Sequence, residues 1–164
     1  MADRRSEIGN QRSATTGRRA EVGTSATIEG RMGMSEEIRS VTDLRVYQEA
    51  FELQQEVFRI SKEWPIDERF CLVQQVRRSS RSIGANIAES WAKRRYPMHF
   101  ASELTDADGE LQETAHWIRT AQACTYLTEQ QYSHFQAHIQ SVGRALGKMI
   151  SMPEKFIPRG QRKP

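Results

Sequence analysis

Three of the chain's five prolines, Pro65, Pro97 and Pro153, stand at the edges of stretches in which apolar residues recur every three or four positions. That spacing is the period of one helix face, and no run shows the alternation by twos of a half-buried strand. The first stretch runs from about Asp43, an acceptor suited to an N-cap, to Glu63, with Leu44, Tyr47, Phe51, Val57 or Phe58, and Ile60 on its apolar side. Trp64-Pro65 closes it, because proline drives the residue before it out of the helical region. Asp67 caps a second helix to about Arg95, whose face reads Leu72, Val76, Ser79 or Ser80, Ile83, Ile87 and Trp91. Pro97 opens a third, in the first turn where its missing N–H is no loss, followed by Phe100, Leu104, Ala107, Leu111, Ile118 and Ala121. Thr128 caps a fourth, lined by Tyr132, Phe135, Ile139, Val142, Leu146 and Met149 and ended by Pro153. Four amphipathic helices on short connections predict an all-α fold, an antiparallel up-down-up-down four-helix bundle.

Hydrophobic residues make up 37% of the 164 and the mean hydropathy is −0.71, low for a compact domain. The ends account for it. Residues 1–34 carry Arg4, Arg5, Arg12, Arg18, Arg19 and Arg31 among Ser, Thr, Gly and Ala, and cannot bury enough surface to offset the entropy of ordering. They are predicted to form a disordered leader. Ile28-Glu29-Gly30-Arg31 before Met32 resembles an engineered protease-cleavage site, and a start set too far upstream fits equally well. No apolar stretch follows the arginines as a secretory signal requires, and Asp3, Glu7, Glu21 and Glu29 speak against a mitochondrial presequence. Residues 35–152 are assigned to the bundle and 153–164 to a basic flexible tail. The chain holds 24 Lys+Arg against 21 Asp+Glu, but residues 35–152 hold 14 against 16, so the basic character belongs to the termini. No window suits a membrane span. Two cysteines, Cys71 and Cys124, make neither a disulfide framework nor a zinc site, and predict free thiols in a cytoplasmic chain.

The passage RRSSRSIGANIAES, residues 77–90, is unusually polar for a helix that helps to build a core. Arg78, Ser82, Asn86 and Glu89 follow steps of four, four and three, and so form a stripe beside the apolar face. Ser79, Ser80, Gly84, Ala85 and Ala88 are small enough to admit a close neighbour. If the third helix folds back after Tyr96, Arg77 to Ser80 lie level with Glu113. A solvated face accounts for the charges, and an active site is a second alternative. The small residues favour a buried polar network of Arg77, Arg78, Ser82, Asn86, Glu89 and Glu113, with one of the arginines paired to Glu113.

The run PIDERFCLVQQVRRSSRSIGANIAES resembles the signature of the four-helix bundle proteins of the 23S rRNA intervening sequences. Pro65, Glu68, Gln75, Arg77, Arg78, Ser82, Ile83, Asn86, Ile87, Ala88 and Glu89 match its pattern, as do Asp43, Leu44, Tyr47 and Ala50 before it and Phe100, Leu104, Ala107, Gly109 and Glu113 after it. The chain departs at Ser90, where a glycine is usual, and at Glu110, where a serine commonly follows Gly109. The resemblance implies a cytosolic bundle assembled into a homopentameric ring. The accessory proteins of diversity-generating retroelements, a related family, form similar barrels that bind nucleic acid and a reverse transcriptase, and by analogy RNA or DNA is the expected partner.

The residues offer little for catalysis. A di-iron bundle needs two Glu-x-x-His pairs, and Glu113-x-x-His116 has no counterpart. His134 and His138 stand four apart and could share a metal, but Phe135 and Ile139 mark the adjacent face as buried, and no metal site or cofactor is expected. Gly143 and Gly147 sit inside the fourth helix and suit close helix contact rather than a phosphate loop. Nucleic-acid contacts are expected from Lys93, Arg94 and Arg95, and from Lys155, Arg159, Arg162 and Lys163 in the tail. The expected function is a non-enzymatic, oligomeric interaction module. The alternative is a small-ligand binder or enzyme using the Arg/Asn/Glu cluster.

Overall fold

The structure, a computed structural model, describes residues 38–161, so the leader, Arg162 and Lys163 lie outside the described residues. Four helices dominate: α1 (Arg45–Ile60), α2 (Leu72–Lys93), α3 (Pro97–Ala123) and α4 (Glu129–Ile150), and the described residues hold no strand. α2 packs on α1 and α3, and α4 packs on the same two, which closes a cycle around one core. None of the helices is long and apolar enough to cross a membrane.

Local chemistry sets most of the boundaries. Thr128 caps α4 through a hydrogen bond from Gln131 N, and Gln131 returns its side chain to Thr128 N. Pro97 occupies the first turn of α3. Thr125 ends that helix in the left-handed region (φ 61°), with Tyr126 N donating back to the Ala121 carbonyl. The expected caps Asp43 and Asp67 do different work. Asp43 is the third residue of a capping box whose cap is Ser40, in a 3₁₀ turn (Val41–Asp43) just before α1. Asp67 lies inside the 3₁₀ turn Ile66–Phe70, so α2 begins at Leu72 with Cys71 at its cap position, four residues later than a cap at Asp67 predicts.

The apolar faces expected for α3 and α4 are buried, apart from Tyr132, which is half-buried. On α2 Leu72, Val76, Ile83 and Ile87 are buried and Trp91 is half-buried. On α1 the buried line is Val46, Ala50, Leu53 and Val57, while Tyr47 is half-buried and Phe51 is 48% exposed. The tail does not leave the bundle at Met152. Pro153–Phe156 forms a 3₁₀ turn and Phe156 stacks on Phe100 with ring centroids 5.2 Å apart, which adds an aromatic lid to the core. Cys71 and Cys124 are free thiols, as expected, and both are exposed.

Candidate functional site

The polar passage of α2 divides between two faces. Ser79, Ser80 and Ser90 point inward and are fully buried, as is Thr114 on α3. Thr114 Oγ1 lies 2.9 Å from Ser79 Oγ and 2.8 Å from the Glu110 carbonyl oxygen, linking the two helices. Ser80 and Ser90 donate to the Arg77 and Ile87 carbonyls of their own helix. The buried seam is therefore made of hydroxyls, which satisfy themselves locally.

The charged network expected beside that seam does not form as drawn. Glu113 accepts from Trp117 Nε1 at 3.1 Å, and no ion pair joins it to Arg77 or Arg78 among the described residues. Arg77 Nε instead donates to Ser61 Oγ at 2.8 Å. Arg78 and Glu89 are exposed, Ser82 Oγ donates to the Arg78 carbonyl, and Asn86 is half-buried. Helical geometry gives the reason: each residue turns the side chain by about 100°, so arginines adjoining the buried serines leave the α2–α3 seam.

They gather on the outer side of α2. Arg69 from the preceding turn and Arg77, Arg78 and Arg81 from α2 line an open groove of about 620 Å³, with Phe70, Val73, Gln74, Ser82 and Ala85. Phe58 of α1 supports two of them, with the Arg77 and Arg81 guanidinium carbons 4.9 and 5.8 Å from its ring centroid. Arg69 lies 5.5 Å from the Phe70 ring, and that ring is 76% exposed. None of the four forms an ion pair among the described residues. Burial pushes the Arg77 guanidinium below its ordinary value, and the charges of Arg81 and Arg69 push the same way. The groove thus gathers four positive charges, none of them held in an ion pair among the described residues.

The other expected contacts are spent differently. Lys93 bonds Glu103 and lies 3.7 Å from Glu89, and Arg94 folds onto Trp91, 4.2 Å from the ring centroid, with its Nη1 on the Trp91 carbonyl. Arg95 and Lys155 are exposed, and Arg159 lies in a second 3₁₀ turn of the tail. Of the Lys93-Arg94-Arg95 cluster, only Arg95 turns its charge outward without a partner among the described residues.

A second cluster lies between α1 and α4. His134 Nε2 and His138 Nδ1 approach the same oxygen, Glu56 Oε2, at 3.0 and 3.3 Å. All three atoms fall within 4.8 Å of one another, a set with metal-ligand chemistry where none was expected. The histidine spacing was visible in the sequence. Glu56 was not, because helix packing brings it from 78 positions upstream.

The model of the 23S rRNA-intervening sequence proteins matches residues 42–148. The chain belongs to this family. It is similar to a solved protein of unknown function from the S23 ribosomal protein family of Bacteroides thetaiotaomicron. The two share 26% identity and a TM-score of 0.58, over 64% of this chain and 97% of that one. No curated protein matches. The two departures from the intervening-sequence pattern have different consequences. Ser90 is accommodated, fully buried with its hydroxyl 2.7 Å from the Ile87 carbonyl. Glu110 is not matched by a partner: its Oε2 is buried without a hydrogen bond, and burial, then the charge of Glu113, raises its carboxyl above the ordinary value, with Arg78 opposing.

Proposed function

We propose that this intervening-sequence protein is a non-enzymatic, homo-oligomeric interaction module that holds the phosphates of a nucleic acid in the arginine groove of α2. The convergence of Arg69, Arg77, Arg78 and Arg81, none of them ion-paired among the described residues, carries the reading. Guanidinium forks match phosphate oxygens in pairs and stay charged at any physiological pH. They neither take nor release protons there, so the groove suits holding an anion rather than acid–base chemistry.

The antiparallel up-down-up-down arrangement is supported by contacts at two levels. Ser79 meets Thr114 and Lys93 meets Glu103, so rising numbers on α2 face falling numbers on α3. Glu49 meets Ser141 and Glu56 meets His134, which gives the same sense for α1 and α4. In a pentameric ring the groove would be repeated around the assembly, and phosphate binding grows with the number of contacts. Two unpaired thiols accord with a cytoplasmic setting.

Anisotropy of labelled, mixed-sequence RNA and duplex DNA against salt tests the groove. Four phosphate contacts per chain predict a log–log slope of about −3 on a single strand and about −3.6 on a duplex. The exposed pair Arg69→Ala/Arg81→Ala should lower affinity for all sequences alike and flatten the slope by about half. Unchanged affinity and slope in that variant would remove the groove from consideration, and binding to a nucleotide but to neither polymer would favour the small-ligand reading.

A further inference from the structure

The groove leaves the α1–α4 cluster unexplained, and its hydrogen bonding is unusual. His138 Nε2 lies 3.0 Å from the Glu49 backbone carbonyl. A carbonyl can only accept, so this nitrogen carries the ring hydrogen. In the neutral ring Nδ1 is then a bare lone pair, and it faces the Glu56 carboxylate at 3.3 Å. Two acceptors do not settle against each other unless something positive stands between them. The same carboxylate oxygen meets His134 Nε2 at 3.0 Å from the other side.

We infer that Glu56, His134 and His138 form a binding site for a divalent transition-metal ion of the zinc type. Two histidines four apart on one helix present their nitrogens to a single ion. Ligands about 2.0–2.1 Å from a tetrahedral ion stand about 3.3 Å from one another. The two separations at Glu56 Oε2 are 3.0 and 3.3 Å, the three candidate ligand atoms all lie within 4.8 Å of one another, and the His134 side chain, 62% exposed, has open space beside it in which to adjust for the third. The Glu49 carbonyl supplies the outer partner that fixes the ring of a metal-bound histidine in its tautomer. Glu49 is itself held, with Arg45 Nε and Ser141 Oγ on its two carboxylate oxygens. Imidazole and carboxylate donors select zinc, cobalt or nickel over magnesium or calcium. Three protein ligands leave a fourth position, and a cleft of about 380 Å³ lined by Arg59, Glu63, Gln130 and Gln131 opens beside His134. A water or an anionic ligand can complete the coordination from that side.

Zinc chloride titrated into the full, untagged chain against a chelating dye tests this, with Cys71→Ser/Cys124→Ser as background because both thiols are exposed. One equivalent per chain should bind at micromolar concentration or tighter. Cobalt should then give the visible absorption of a four- or five-coordinate nitrogen–oxygen site. His134→Ala, at a surface position, and Glu56→Gln should each weaken uptake by about tenfold or more, the scale on which even an outer partner acts. His116→Ala should leave it unchanged. No stoichiometric uptake, or uptake indifferent to both His134→Ala and Glu56→Gln, overturns the site and leaves the cluster a protonated ion pair only.

Discussion

Glu110 shows how one residue can work against its surroundings. One of its oxygens is buried without a hydrogen bond, and its neighbour Glu113 carries the same charge. Its folded pKa is raised from the ordinary 4.5, so the fold prefers the protonated acid. The associated stability is fully present below about pH 4.5 and is lost as the pH climbs through the raised value. At neutral pH the carboxylate is therefore a cost, reduced by its partial exposure and by Arg78. Glu110→Gln should stabilise the protein near pH 7 by about 0.2–1 kcal/mol, the scale of surface charge effects, and the gain should vanish toward pH 4. Thermal melts of the two forms across that range check the sign. A gain that grows on acidification would contradict the assignment.

At the scale of the helices, one pair of buried hydroxyls, Ser79 and Thr114, joins α2 to α3 inside the apolar core. Thr114 has one proton and two neighbours, so either Thr114 donates to the Glu110 carbonyl while Ser79 donates to Thr114, or Thr114 donates to Ser79 while Ser79 reaches the Val76 carbonyl at 3.4 Å. Thr114→Val keeps the shape and strands Ser79 on that long bond, which should cost about 1–3 kcal/mol. Adding Ser79→Ala removes the stranded group, so the double variant should lose less than the two singles together, by about 0.5–1.5 kcal/mol. Denaturant melts of the four forms measure this, and strict additivity would show that the hydroxyls act separately. The seam was half legible in the sequence: Ser79 and Ser80 fall on the apolar face by spacing, but their partner Thr114 lies on another helix. The same limit explains α1. Tyr47 and Phe51 fit the apolar spacing of α1, yet they stack on each other at the rim, 6.5 Å between centroids, while the smaller Val46 and Ala50 enter the core. Periodicity fixes which helices exist, and it leaves a one-residue rotation of the buried face to the neighbours. The arginine groove was hidden for that reason too, since Arg69 and Phe58 reach it from outside α2.

For the whole molecule, the distribution of exposed apolar side chains bears on assembly. Ile66 and Phe70, 74% and 76% exposed, lie just before α2, and Tyr96 and Met98, 64% and 80% exposed, lie just after it. The helix between them has 22 residues, about 33 Å at 1.5 Å per residue. Single exposed apolar residues are ordinary, but two patches at opposite ends of one long helix suit a head-to-tail contact, in which one end of a subunit meets the other end of the next. Contacts of that kind give closed rings where the rotation between subunits closes and open filaments where it does not, and neither is a two-fold dimer. Light scattering on the full chain should give a closed assembly of 18.9 kDa subunits, with the five that the family resemblance implies as the expected number. Because each subunit uses both ends, Ile66→Asp and Met98→Asp should each release lower-mass species while helix content by circular dichroism stays that of the parent. A parent that runs as a clean monomer or dimer at micromolar concentration excludes the ring. Sensitivity to only one of the two substitutions would mean that a single patch meets its own copy, the signature of a two-fold interface instead.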